Sequence, residues 1–181
     1  MKFTETNLKG VWIISPVVHE DGRGFFLESF LASEMEAHGL PGSFVQDNHA
    51  RSTAAGVIRG LHFQKPPRAQ SKLIRVVRGS VFDAVVDLRK NSETFGKWLG
   101  FTLSEQNKEM LFVPKGFAHG YCTMAPGTEF LYKVDDYYSP AHDSGIRWND
   151  PGIGIGWPNV SPVISDKDKR LPFLKDIEPP F

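Results

Sequence analysis

The sequence predicts an all-β protein, a sandwich or barrel of short antiparallel strands. Three observations predict it. β-branched and aromatic residues gather in short runs, turn signals separate the runs at regular intervals, and one run alternates with a period of two. Near the start, Gly22 and Gly24 make a turn with a charged tip, between Asp21 and Glu28. A short helix is expected over Ser33 to His38. Ser33 and Glu36 stand at capping-box spacing, and Gly39 can end the helix. Lys72 to Arg78 reads as a strand, and Gly79-Ser80 turns it into the next. In Val81 to Leu88, Phe82, Ala84, Val86 and Leu88 share one face while Asp83 and Asp87 fall on the other, the pattern of a half-buried antiparallel strand. Lys97 to Leu103, Met110 to Pro114, Ala118 to Met124 and Glu129 to Tyr138 follow, divided by Glu105-Gln106-Asn107, Lys115-Gly116 and Ala125-Pro126-Gly127. From Pro151 onward the chain holds six of its 13 prolines and is expected to be irregular, with at most a short helical turn.

A chain of 181 residues is expected to form one domain, 1–181, without internal repeat or linker. The charges balance at 21 basic and 21 acidic residues, which argues against a nucleic-acid-binding protein. The single cysteine, Cys122, permits no internal disulfide. No apolar run approaches the ~20 residues of a membrane span or resembles a signal peptide. The expectation is a cytoplasmic protein.

Five constellations carry possible chemistry. Arg59-Gly60-Leu61-His62-Phe63-Gln64, with Lys72 beyond, combines an anion clamp, a proton acceptor and a compact cation. His62 taken alone reads equally as a hydrogen-bonded core histidine. Pro114-Lys115-Gly116-Phe117-Ala118-His119-Gly120 carries the histidine that is a metal ligand in metal-binding cupins. Those proteins also have a His-x-His pair and a carboxylate, and here that position reads His62-Phe63-Gln64, with no Glu or Asp between His62 and Asp83. A stable site needs three or more ligands, so no metal is expected. Tyr132, alternating with Phe130 and Val134, is a barrel-lining aromatic or a general acid. Ser165 to Arg170 is a solvated charge run, or it brings a carboxylate that orients a histidine in the barrel. Arg23 and Glu28 are surface charges or reach into a neighbouring subunit.

Taken in order, these pieces resemble the dTDP-4-dehydrorhamnose 3,5-epimerase family. The resemblance runs from about Leu8 to about Arg170. Its runs are RGFFLESF, VQDNHARS, RGLHFQKPP, KLIRVVRGSVFDAVVDLRKNS, TFGKW, VPKGFAHGY, EFLYKVDDYYSP, GIRWNDP and SDKD. It implies a cupin-type jelly-roll β-barrel with a short N-terminal helix and an irregular C-terminal tail. It also implies a homodimer, no cofactor, and a dTDP-4-keto-6-deoxyhexose substrate. By motif, His62 resembles the general base, Asp168 its carboxylate partner, Tyr132 the general acid and Lys72 the cation beside the enolate oxygen. Arg59 and His119 resemble pocket residues, and Arg23 and Glu28 nucleotide contacts lent by the partner chain. Gln46, Asn48, Tyr138, Asp143 and Lys167 match ligand-contacting positions, although Asp143 stands where Glu is more usual.

The chemistry suits these residue types. Removing a proton beside a ketone leaves an enolate, and a cation at its oxygen stabilises the charge where it develops. A histidine is a suitable base near neutral pH. Inversion returns the proton from the opposite face, which calls for a separate acid such as Tyr132. Three rival readings remain: a relative that epimerises one carbon only, a metal-dependent cupin, and a non-catalytic sugar-nucleotide-binding barrel.

Overall fold

A computed structural model describes residues 1–158 and 162–181. In chain order the strands are β1 (Lys2–Glu5), β2 (Trp12–Ser15), β3 (Val18–Asp21), β4 (Gly24–Leu27), β5 (Gln46–Ser52), β6 (Val57–Gln64), β7 (Lys72–Arg78), β8 (Ser80–Asp87), β9 (Trp98–Ser104), β10 (Met110–Val113), β11 (Phe117–Thr123), β12 (Thr128–Val134), β13 (Asp143–Gly145) and β14 (Val163–Ile164). Two short helices, α1 (Ala32–Ala37) and α2 (Asp166–Lys169), complete the frame with one 3-10 turn at Leu174–Asp176.

The first sheet runs β1-β2-β10-β7-β12-β5, and the second runs β13-β6-β11-β8-β9 with β14 added parallel to β6. They face one another across a core to which both contribute. Ile74, Val76, Leu111 and Phe130 of the first sheet meet Val81, Val85, Leu103 and Tyr121 of the second. This is an all-β jelly roll whose two sheets remain separate hydrogen-bonded units, not a single closed ring of strands. A third unit, the β3–β4 hairpin, belongs to neither sheet.

The outer faces are covered as well. α1 lays Met35 on the first sheet beside Ile14, Leu73, Met110 and Phe112. The C-terminal segment lays Ile153, Trp157, Leu174 and Phe181 over Leu61, Phe63, Val86 and Leu88 of the second. That covering corrects the expectation for β8. Its apolar face, Phe82, Val86 and onward to Leu88, packs beneath the tail, and its acidic face looks inward, so Asp83 and Asp87 are both fully buried. The strand is therefore buried on both sides, not half-exposed.

Other boundaries moved for physical reasons. α1 begins one residue early, with Leu31 as its N-cap and no capping side chain, so the Ser33–Glu36 capping box does not form. Gly39, at φ +72°, ends the helix as expected. The run from Glu129 stops at Val134, because both its partners, Gln46 and Lys72, are the last residues available for pairing. The tail is less irregular than its prolines suggest, since it supplies β14 and α2; its expected irregularity at 159–161 lies outside the described residues. Strands β1 to β6 had no counterpart in the sequence reading.

Candidate active site

Between the sheets lies a cavity of about 590 Å³. β6 places Arg59 and His62 on one wall. β11 adds His119 and Tyr121 to that wall, β7 and β12 place Lys72, Phe130 and Tyr132 on the opposite one, and α2 closes an edge with Lys167 and Asp168. Alternation explains the choice on β12, and on β6 an irregularity at Gly60, where the register with β11 shifts, brings Arg59 and His62 to the same side. Residues two apart on a strand share a face, so Phe130 and Tyr132 both point inward while Leu131 and Lys133 point out.

His62 and Asp168 meet across 106 residues of sequence. His62 Nε2 lies 2.8 Å from Asp168 Oδ1, and Gly60 N–H donates to Asp168 Oδ2 at 3.2 Å. Ser165 caps α2 by accepting from Asp168 N–H at 3.1 Å, which fixes the helix turn that presents the carboxylate. Burial raises the Asp168 pKa, but the His62 hydrogen bond and charge outweigh it with help from Gly60 and Ser165, so it ends below the ordinary value. The carboxylate is ionised at neutral pH and can only accept. The hydrogen therefore sits on His62 Nε2, and Nδ1 is left as the basic nitrogen. Gly60 makes the arrangement possible. It holds φ +131°, and a Cβ there would lie 2.5 Å from Gly120 Cα.

A second histidine–carboxylate pair lies deeper. His119 Nε2 lies within hydrogen-bond distance of both oxygens of Asp83, at 3.0 and 2.9 Å. Burial pushes the His119 pKa down and that of Asp83 up, against the attraction between them. Lys72 Nζ donates to the His62 carbonyl at 3.3 Å. Burial lowers its pKa to about 8, while the charges of Asp83 and Asp143 work the other way. Burial also raises the Tyr132 phenol, with the Arg59 charge opposing, so the phenol is protonated at neutral pH.

The remaining candidate residues divide. Gln46 and Asn48 are on β5, joined by a 2.9 Å bond from Gln46 Nε2 to Asn48 Oδ1, and stand apart from the cavity lining. Tyr138 donates to Asp143 Oδ2 at 3.1 Å, and Lys167 Nζ meets the same oxygen at 2.5 Å, so this trio joins the cavity through Lys167. Arg23 and Glu28 are exposed on the β3–β4 hairpin and just after it. Arg23 folds back onto Asp21 at 2.6 Å, away from the cavity. Beyond apolar lining residues, Asp83, Tyr121 and Gln64 were not singled out as site residues from sequence. Asp83 had a signal, since an acid between Val81 and Val85 on one strand face needs a buried partner. Tyr121 had none, and Gln64 was read only as standing where metal-binding cupins have a second histidine. Among the described residues no three His, Cys, Asp or Glu side chains converge as a metal-binding set.

The family model described as dTDP-4-dehydrorhamnose 3,5-epimerase matches residues 5–176. The chain belongs to that family. Its members are epimerases, a class of isomerase. The chain is 50% identical to the dTDP-4-dehydrorhamnose 3,5-epimerase of Escherichia coli, over 98% of this chain and 96% of that one. The crystal structure of the Bacillus anthracis enzyme with TDP and pyrophosphate bound is 53% identical, with TM-score 0.93 over 96% of this chain and 99% of that one. The Legionella pneumophila epimerase in complex with dTDP-4-keto-L-rhamnose is 42% identical, with TM-score 0.93 over 98% and 94%.

Proposed function

We propose that this protein is a dTDP-4-dehydrorhamnose 3,5-epimerase, inverting carbons 3 and 5 of dTDP-4-dehydro-6-deoxy-D-glucose on the route to dTDP-L-rhamnose. One observation carries the reading: a carboxylate-supported histidine and a protonated tyrosine stand on opposite walls of one cavity, with a lysine at hand. Mere binding requires no such opposition.

In this mechanism His62 Nδ1 removes the proton from the carbon beside the ketone. Asp168 stabilises the imidazolium that forms. Electron density moves to the ketone oxygen, where the Lys72 ammonium meets it. Tyr132 then delivers its proton to the opposite face of the same carbon. The imidazolium loses its proton and the tyrosinate regains one before the second carbon reacts. Both carbons flank one ketone, so a single cation serves both enolates. Arg59 and Lys167 supply cationic donors for the sugar and diphosphate and His119 lines the pocket beside them, with Gln46, Asn48, Tyr138 and Asp143 at the periphery.

We further propose a homodimer in which the β3–β4 hairpin is lent to the partner's cavity. Phe25 and Phe26 are 57% and 66% exposed there, and none of the residues lining the cavity comes from the hairpin. The single-domain reading is supported by a family match that spans nearly the whole chain. No helix among the described residues is long and apolar enough to cross a membrane, and the one cysteine is buried and unpaired; a cytoplasmic location fits both.

The test is proton NMR of dTDP-4-keto-6-deoxyglucose with metal-stripped protein in deuterated water. Deuterium at both carbon 3 and carbon 5 is expected. Label at one carbon only would make the protein a single-carbon epimerase, and binding without label would leave a non-catalytic barrel.

A further inference from the structure

The chain between β12 and β13, residues 135–142, leaves the strand that carries Tyr132 and returns beside the end of β6. Its ends bond to neighbouring backbone, Asp135 N–H to Ser71 O at 3.4 Å and Lys65 N–H to His142 O at 2.9 Å, and between them glutamine side chains hold the chain. Gln70 Nε2 donates to the Asp136 carbonyl at 2.7 Å. Gln46 Oε1 accepts from Tyr138 N–H at 3.0 Å. Gln64 does most: its Nε2 donates to the carbonyls of Arg68 at 2.6 Å and Tyr137 at 3.2 Å, and its Oε1 accepts from Ser139 N–H at 2.6 Å. Four consecutive residues, 136–139, are thus tied to β5, β6 and the β6–β7 connection. Irregular backbone must find partners for its polar groups. A primary amide supplies both donors and an acceptor, which neither a carboxylate nor an ammonium can do.

Gln64 is 4% exposed and lies two residues beyond His62 on the same strand. It occupies the place of the second histidine in the His-x-His pair of metal-binding cupins, and here that side chain is committed to the strap. Its register partner across the strand is Asp143, and that of His62 is Gly145. One strand therefore carries the proposed base and the clasp of the strap. On the strap, Tyr138 keeps its ring 54% exposed while its hydroxyl reaches Asp143 and, through it, Lys167 at the cavity edge. A large exposed ring on a firmly held backbone is arranged to receive something.

We propose that Gln64 is a positioning residue for substrate recognition: by clasping the strap at residues 137 and 139 it sets Tyr138 at the cavity edge relative to His62, and so governs binding of the nucleotide sugar without taking part in proton transfer. The inference rests on the proposed epimerase function. Gln64 touches no reacting atom, so its loss separates KM from kcat.

The experiment compares the full-length wild type, Gln64→Ala, Tyr138→Ala and the double variant, by steady-state epimerisation and by calorimetric binding of dTDP. Gln64→Ala should raise KM and the dTDP Kd about tenfold while kcat stays within about threefold. In the Tyr138→Ala background the same change should cost no more than about twofold, because the strap then has little left to place. Independent, multiplying effects, or a fall in kcat at constant KM, would overturn the inference. Should Gln64→Ala fail to fold, Gln70→Ala removes one strap bond only; it should raise KM about two- to threefold, and an unchanged KM there would also overturn it. A wild type that neither binds dTDP nor exchanges hydrogen would defeat the proposed function and this inference together. An active wild type with multiplying effects defeats this inference alone.

Discussion

Replacing Asp168 by Asn probes the assignment of His62 as the base. The shape is preserved, but the charge is lost. With Nε2 and Oδ1 2.8 Å apart, the centres of imidazolium and carboxylate are roughly 4 Å apart, and two unit charges at that distance attract by about 4 kcal/mol at an effective dielectric near 20. The imidazolium is only partly formed in the transition state, which puts the electrostatic loss at about 2 kcal/mol or more. A tautomer effect adds to it. An amide N–H can donate to Nε2, leaving the hydrogen on Nδ1, where it blocks the base. A total of about 2–4 kcal/mol corresponds to a rate lower by roughly 30- to 1000-fold. The assay is deuterium incorporation at carbons 3 and 5 at saturating substrate, with dTDP binding as the control for an intact cavity. Exchange within about fivefold of wild type, well inside that range, would refute the dyad as the source of basicity.

Three other outcomes follow from the same geometry. Tyr132→Phe should keep part of the carbon–hydrogen exchange while inversion falls by about 100-fold or more, because removal and return use different walls; equal losses of both would merge the two roles. The plot of kcat/KM against pH should fall as pH rises through about 8, the pKa to which burial lowers Lys72. The sign is fixed by chemistry, since the ammonium exists below that pKa and its neutral amine above it. Lys72→Arg should remove this limb, and an unchanged limb in that variant would reassign it. Gly60→Ala should destabilise the fold by about 3 kcal/mol or more, because its Cβ would meet the backbone of Gly120 at 2.5 Å and His119 O at 2.9 Å with φ at +131°. For a chain of this size that is a drop in Tm of roughly 6–12 °C by thermal denaturation, and a Tm within about 2 °C of wild type would contradict the close approach.

The inner strands were legible because their patterns are local. Lys72–Arg78 has the bounds its β-branched run suggests, and Met110–Val113 stops where Pro114 removes the backbone donor. The early strands were not. β3 and β4 are exposed charged and aromatic segments without clean alternation, and β5 reads as a polar string. β8 shows the limit of periodicity. Its two faces were separated correctly, but the pattern does not say which faces the interior. The tail settled that by covering the apolar side, which left Asp83 and Asp87 to be buried with partners, His119 for one and Arg89, Ser92 and Thr94 for the other.

The sequence by itself determined the all-β class, the family and the residue types its chemistry needs, because these are written in short runs and their order. Tertiary structure alone decided which of those residues meet. Asp168 reaches His62 because β14 pairs with β6 and delivers α2 beside it. His119 is bound to Asp83 because β11 and β8 are neighbours. Tyr132 and His62 oppose one another because their strands belong to different sheets. Hydrogen bonds and charges act over a few ångströms, and separations of 36 and 106 residues become such distances only when distant strands have paired into one sheet.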